Sequence, residues 1–288
     1  MSSTVNAAPF YGVDVDLHNV GVDVRVNDIP VYFDYTKGQL TVEVPTPESI
    51  IDGLNNLSLN IFLPYDEQSG DQTSEYENGA YATITLFEQD LSKNNSKRQL
   101  VSATLKLTEA GVIAQLDDHI KNEQTTPKVV LTEEKSASVE ITTQIKSPFP
   151  KWAWQDGQQI ENNKENFNSL LEVYKNIHST LKAKDLGKLK SLYRVRAKEI
   201  AIAYGLSNEE EGQKKLSTGE DMQNVSLELN DLFLDGMTFE VSANGKLARI
   251  KNYLNAQPIF YYDPKSRLFH LYKFMFFLDK NNQWVMIR

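Results

Sequence analysis

The apolar residues of this chain change their spacing once, and that change limits the fold more than any other feature. From Phe10 to Ile145 they recur at every second position, as in "YGVDVDL", "VGVDVRVN", "IPVYFDY", "QLTVEV", "LSLNIFLPY", "AYATITLFEQ", "QLVSATLKL" and "SVEITTQIK". A period of two belongs to strands with one buried face, because successive side chains leave a strand on opposite sides. The runs are broken at "HNVG", "TKG", "PTPES", "YDEQSGDQ" and "SKNNSK", all rich in turn-forming residues. Many short strands at this spacing predict a β-sandwich of jelly-roll type.

After "SPFPKWAWQDGQ" the period becomes helical. In "ENFNSLLEVYKNIHSTLKAK", Phe167, Leu170, Leu171, Tyr174, Ile177 and Leu181 recur at steps of three and four, which makes one apolar stripe. Asp185 is placed to cap a second helix, "LGKLKSLYRVRAKEIAIAYGL", which Gly205 helps to close. Ser207 and Glu210 fit a capping box for a short third helix. Strands return around Asn244-Gly245, a hairpin signal, and continue as "PIFYY", "RLFHLYKFMFFL" and "QWVMIR". At 288 residues the chain has room for two cores. The expected architecture is an all-β sandwich over residues 1–146 and an α+β domain over 164–288, with helices packed on a curved antiparallel sheet. A Pro/Trp connector at 147–163 joins them.

Two resemblances refine this plan. The stretch "VRVNDIPV…IIDGLNNLSLNIF", with a Gly-x-Asn turn before a strand, resembles the opening of jelly-roll modules found in exported and carbohydrate-handling proteins. The order of paired helices followed by antiparallel strands, over residues 164–288, resembles the nuclear transport factor 2-like superfamily, a cone-shaped α+β fold. That fold hosts enzymes, binding modules and dimerisation domains alike, so it implies an architecture and no activity.

Composition excludes several chemistries. With no cysteine, thiolate metal sites, disulfides and cysteine nucleophiles are all absent. A net charge of −9, with no dense basic block, argues against nucleic acid as a partner. No apolar run reaches the ~18 residues of a membrane span, so no membrane insertion is expected. Walker, dinucleotide and Gly-x-Ser-x-Gly fingerprints are missing, and no cofactor is expected. The start "MSSTVNAAPF" is not a signal peptide, yet it is compatible with the mature part of an exported protein. A periplasmic or exported location is favoured over the cytoplasm, on the Thr- and Asn-rich strands and the missing cysteines.

Three groups of residues are candidates for function. Asp14, Asp16 and Asp23 could hold calcium if β-hairpin pairing around Asn19 and Val20 set Asp16 opposite Asp23 and Asp14 opposite Arg25; a solvated acidic surface explains them more simply. His18, His119, His178 and His270 show no metal-ligand spacing. If "RLFHLYKFMFFL" is one strand, His270 and Tyr272 point into an aromatic surface that Tyr193 and Tyr262 can also reach, as an isomerase- or hydratase-like site would require. The opposite face of that strand, with Phe269, Leu271, Met275 and Phe277, is apolar too and needs a cover. On an extended backbone Trp152 and Trp154 point to one side, where they either cover Phe269, Leu271 and Phe277 as a fastener between domains or stand exposed as a saccharide platform. The expected function is non-catalytic binding, bacterial and associated with the envelope or secretion, through a protein partner, self-association or a saccharide. The alternative is an enzyme using the second-domain cavity.

Overall fold

Strands form wherever the period of two is uninterrupted, and the turns fall at the Asn, Asp and Gly positions. The computed structural model describes residues 9–66, 68–90, 96–108, 111–116, 128–131 and 135–288. The chain divides into two compact units, Met1–Pro150 and Lys151–Arg288. It is mostly β, with every sheet antiparallel, and the described residues include five α-helices, all in the second unit.

The first unit contains β1 (Phe10–His18), β2 (Gly21–Val26), β3 (Ile29–Asp34), β4 (Gln39–Pro45), β5 (Gly53–Phe62), β6 (Tyr81–Asp90), β7 (Ser96–Thr108), β8 (Gly111–Leu116), β9 (Lys128–Leu131) and β10 (Ala137–Ile145). They form two five-stranded sheets, ordered β4-β1-β6-β7-β8 and β3-β2-β5-β10-β9. Val13, Val15 and Leu17 of one sheet and Val22, Val24 and Val26 of the other are buried, so the inward face is the one that the alternation marks. The strands β8 and β9 were not marked by that pattern.

The expected hairpin between β1 and β2 does not form. β1 pairs with β4 and β6, whereas β2 pairs with β3 and β5. Asn19, at φ 53°, and the fully buried Val20 carry the chain from one sheet to the other. Two strands that each bury every second valine can face one another across a core as well as lie side by side, and the pattern does not distinguish these arrangements. The true tight hairpin is β2–β3, where Asn27 and Asp28 both have positive φ, 54° and 61°, as a two-residue type I′ loop requires.

The Gly-x-Asn turn has a structural task. Asn55 is fully buried, and its amide oxygen accepts from Ile51 N and Asn27 Nδ2 at 3.0 and 2.8 Å. Its amide nitrogen donates to the carbonyls of Ile51 and Gly53. Asn27 completes the network by donating to Ser49 O and accepting from Asn56 N. Gly53, at φ 106°, supplies a backbone conformation that L side chains rarely adopt.

The second unit begins with α1 (Lys164–Lys182), α2 (Leu186–Leu192), α3 (Arg194–Ala203), α4 (Glu209–Lys214) and α5 (Thr218–Gln223). Asp185 caps α2 as expected, accepting from Lys188 N at 2.9 Å. The single helix expected beyond it is broken at Tyr193 into α2 and α3. The cap of α4 is Asn208, which accepts from Glu211 N, rather than Ser207, whose own N–H donates to the Glu211 carboxylate. Close contact between α3 and α4 depends on Gly212, because a Cβ there would lie 2.0 Å from Ala197 O.

Seven strands follow: β11 (Glu228–Leu229), β12 (Thr238–Ser242), β13 (Leu247–Lys251), β14 (Phe260–Asp263), β15 (Leu268–Leu271), β16 (Phe276–Leu278) and β17 (Trp284–Met286). They form sheets ordered β11-β14-β15 and β12-β13-β16-β17. The Asn244-Gly245 turn closes β12–β13 with a four-residue loop, Ala243 to Lys246, instead of two residues.

The stretch expected as one strand, Arg267 to Leu278, is two strands in different sheets. Between them, Tyr272 to Met275 leaves the ladder, and the backbone of Phe274 bonds to a side chain instead. Gln257 accepts from Phe274 N and donates to Phe274 O, both at 3.0 Å, and accepts from Tyr174 OH at 3.0 Å. Tyr174 in turn accepts from Ile250 N. Leu170, Tyr174, Ile177 and Leu181 of α1 pack in the same core as Ile250, Phe274 and Phe276, so the helical stripe and this polar hub are one assembly.

Gln257→Leu keeps the volume but strips partners from Tyr174 OH and both backbone groups of Phe274; urea unfolding should show a loss on the order of 3 kcal/mol. An unchanged midpoint would remove the amide from its central role. Burial also pushes the phenols of Tyr193 and Tyr261 up to about 12, and that of Tyr174 higher still. Unfolded tyrosines ionise near ~10, so above that pH the unfolded state sheds protons first and stability falls as pH rises. Phenolate absorbance should therefore grow in step with alkaline unfolding for these residues; full ionisation of all 13 tyrosines in an intact fold would contradict it.

Candidate functional site

The surroundings of β15 bring a carboxylate, an imidazole and several phenols together. The register pairs Tyr261 with His270 and Tyr262 with Phe269, and strand alternation sends the two tyrosines to opposite faces. Tyr262 therefore lies against Phe269, with ring centroids 5.2 Å apart, and not beside Tyr272. Tyr261 takes that place, meeting Tyr272 edge-to-face at 6.3 Å. Tyr193 is buried on the same side, 6.3 Å from the Phe274 ring, and its hydroxyl bonds the Thr218 hydroxyl at 2.8 Å. Of the four expected members, His270, Tyr272 and Tyr193 share this region and Tyr262 does not.

The residue that joins His270 to Tyr272 is Asp221, on α5. Its carboxylate accepts from Tyr272 OH at 2.7 Å and meets His270 Nδ1 at 3.0 Å. A carboxylate oxygen accepts, so the ring nitrogen that faces it, Nδ1, is the donor and Nε2 is turned away from Asp221. Burial, together with the hydrogen bond to Asp221, raises the Tyr272 phenol far above its usual value. Tyr272 therefore stays protonated and acts as a donor. Asp221 is nearly buried, whereas the His270 side chain is 37% exposed. The group can orient an imidazole and hold it as a base. Nothing in "STGEDMQN" marks Asp221 in the sequence, since its role arises only when α5 packs beside β15.

Close by lies a cleft of about 250 Å³, whose wall includes Tyr193, Tyr272 and Phe274 together with Arg196, Lys215, Lys273 and Arg288. A second recess, about 160 Å³, includes His178 and Tyr261. His178 is engaged there with the carbonyl of Asn230 at 2.8 Å.

The remaining candidates are dispersed. Asp14 and Asp16 stand on the outer face of one sheet of the first unit and Asp23 belongs to the other sheet, because β1 and β2 are not neighbours. Asp14 pairs with Lys97 at 2.6 Å, Asp16 accepts from Thr41 and Tyr81, and Asp23 pairs with Arg25 at 2.8 Å. No group of three metal-ligating side chains occurs among the described residues. His18 contacts Asn19 and the Tyr81 ring, and His119 lies outside the described residues.

The tryptophan segment is not extended. Ala153 to Asp156 form a 3₁₀ turn, in which Gln155 accepts from Trp152 N at 2.8 Å and Glu199 from Ala153 N at 2.7 Å. Within the second unit the backbone then bonds to β16 and to the β12–β13 turn, through Gln158 N to Leu278 O and Ile160 N to Gly245 O. Trp152 and Trp154 are 1% and 6% exposed, so neither offers a face for stacking a sugar. They do not cover Phe269 and Leu271, which are 58% and 56% exposed; Phe277 is buried and meets the backbone at Gly157. No protein-family model matches the chain, and no curated protein or solved structure matches it.

Proposed function

We propose that this protein is a non-catalytic interaction module that takes up an extended segment of a protein partner along β15. In this reading the first unit is a jelly-roll-like scaffold and the second a nuclear transport factor 2-like domain, a plan that uses its sheet for contact as readily as its cavity for catalysis. The observation that supports it is the edge of the three-stranded sheet. Among the described residues β15 pairs with β14 alone, so one side of its backbone has no strand beside it. Three of its four residues, Leu268, Phe269 and Leu271, are exposed apolar side chains. Edge strands are ordinarily protected by charge, proline or a cover, and this one carries none of the three in its own sequence. An added strand would satisfy the open backbone while its side chains met these apolar groups. The buried tryptophans make a protein segment a better ligand than a saccharide.

One observation favours a second reading, in which the protein is an isomerase- or hydratase-like enzyme: Asp221 orients His270 as a base and Tyr272 as a donor. That reading would prevail if a small carbonyl compound exchanged its α-proton for solvent deuterium in the presence of the protein, and Asp221→Asn stopped the exchange.

The binding reading predicts that selection from a displayed random-peptide library enriches extended segments of alternating apolar and polar residues. Phe269→Asp combined with Leu271→Asp should weaken these peptides by more than about tenfold. Because both side chains are exposed, the unfolding midpoint should barely move. Peptides that bind the double variant equally well would defeat the proposal, as would sedimentation showing that β15 is already sealed in a tight homodimer.

A further inference from the structure

We propose that the cleft beside Tyr272 is a binding site for a small organic molecule bearing clustered oxyanions, either a phosphate ester or a polycarboxylate. The protein carries a net charge of −9, yet Arg196, Lys215, Lys273 and Arg288 all line this one cleft of about 250 Å³, and none of its lining residues is acidic. These four come from separate parts of the chain: α3, the turn after α4, the crossing between β15 and β16, and the segment after β17. Four cations drawn together by the fold repel one another, and an anion in the cleft relieves that repulsion.

Two of the four lack a carboxylate partner among the described residues. Lys215 lies over the Tyr204 ring, 4.9 Å from its centre, and Lys273 enters no ion pair. Lys273 keeps contact with solvent, yet the protein packed around it and the Arg249 guanidinium hold its ammonium below the usual lysine range. Arg196 donates to Ile287 O at 3.3 Å, and Arg196 and Arg288 are both engaged within the fold, so they add positive charge to the wall while the two lysines reach the ligand. The Ser217 hydroxyl adds a neutral donor, and Leu216, Tyr272 and Phe274 form an apolar side for a carbon skeleton. The volume is below that of sites for drug-sized ligands, about 300 Å³ and upward, which points to a compact metabolite.

The cleft shares Leu271 with β15, and it is tested by substitutions that leave that strand unaltered. The full chain is titrated by calorimetry and thermal unfolding with inorganic phosphate, pyrophosphate and citrate, at constant ionic strength so that screening does not change. Saturable binding with a rise in Tm is expected for at least one probe. Preference for pyrophosphate assigns the site to phosphate esters, and preference for citrate assigns it to polycarboxylates. Lys273→Gln and Lys215→Gln, both at exposed side chains, should each weaken the preferred probe by about tenfold or more, whereas Lys188→Gln on α2 should leave it unchanged. Absence of saturable binding to all three probes would overturn the proposal, and so would binding that is indifferent to both cleft substitutions.

Discussion

A buried amide holds the second unit in its observed form. When the chain leaves β15 it gives up ladder hydrogen bonds in an apolar environment, where an unpaired N–H or C=O is costly. Gln257 answers both backbone groups of Phe274 at once, as a neighbouring strand would, and its oxygen also receives the Tyr174 hydroxyl. Tyr174 passes the connection to β13 through Ile250 N. Helix α1, strand β13 and the crossing between two sheets are thereby fixed to one side chain. The crossing is what leaves β15 at an edge and what turns Tyr272 and Phe274 toward the cleft.

The sequence was most informative where one rule governed a segment. Alternation identified the strands of the first unit that bury valine on one face, and the spacing of Leu170, Tyr174, Ile177 and Leu181 located the long helix and its buried side. It was least informative where two arrangements satisfy the same pattern. The valines of β1 and β2 are buried equally well in a hairpin or across a sandwich, and only the conformation at Asn19 separates the two. The run from Leu268 to Leu278 is apolar at odd and even positions alike, which suits a strand covered twice. It suits equally a chain that changes sheets, with an exposed first half and a buried second half. The error over Tyr262 has the same origin, because a shift of one position in register exchanges the faces. Asp221 and Gln257 were invisible for a different reason: a polar side chain that works at long range has no local signature, and both act on residues distant in sequence.

Asp221 also shows how structural and chemical tasks coincide. Its two partners, His270 and Tyr272, are two residues apart and so lie on the same side of the chain as β15 ends. One carboxylate thus secures the end of the edge strand to α5 and sets the tautomer of an imidazole open to solvent. The buried phenol is locked, whereas the imidazole retains freedom at its second nitrogen. Such a pair adjoins both the open strand and the basic cleft, so three different surfaces of this unit share Leu271, Tyr272 and their immediate neighbours.

The contact between α3 and α4 bears on ancestry. With Ala197 O lying 2.0 Å from where a Cβ would sit on Gly212, no other residue enters that position unless the helices separate. Gly212, the Asn27–Asn55 amide pair and Gln257 are each dictated by backbone geometry, and they are spread across both units. Surface positions can drift until overall similarity is lost, while positions of this kind cannot drift without a compensating change in the backbone. A distant descendant of the same ancestor would therefore be recognised by this sparse set of residues at matching places in its fold.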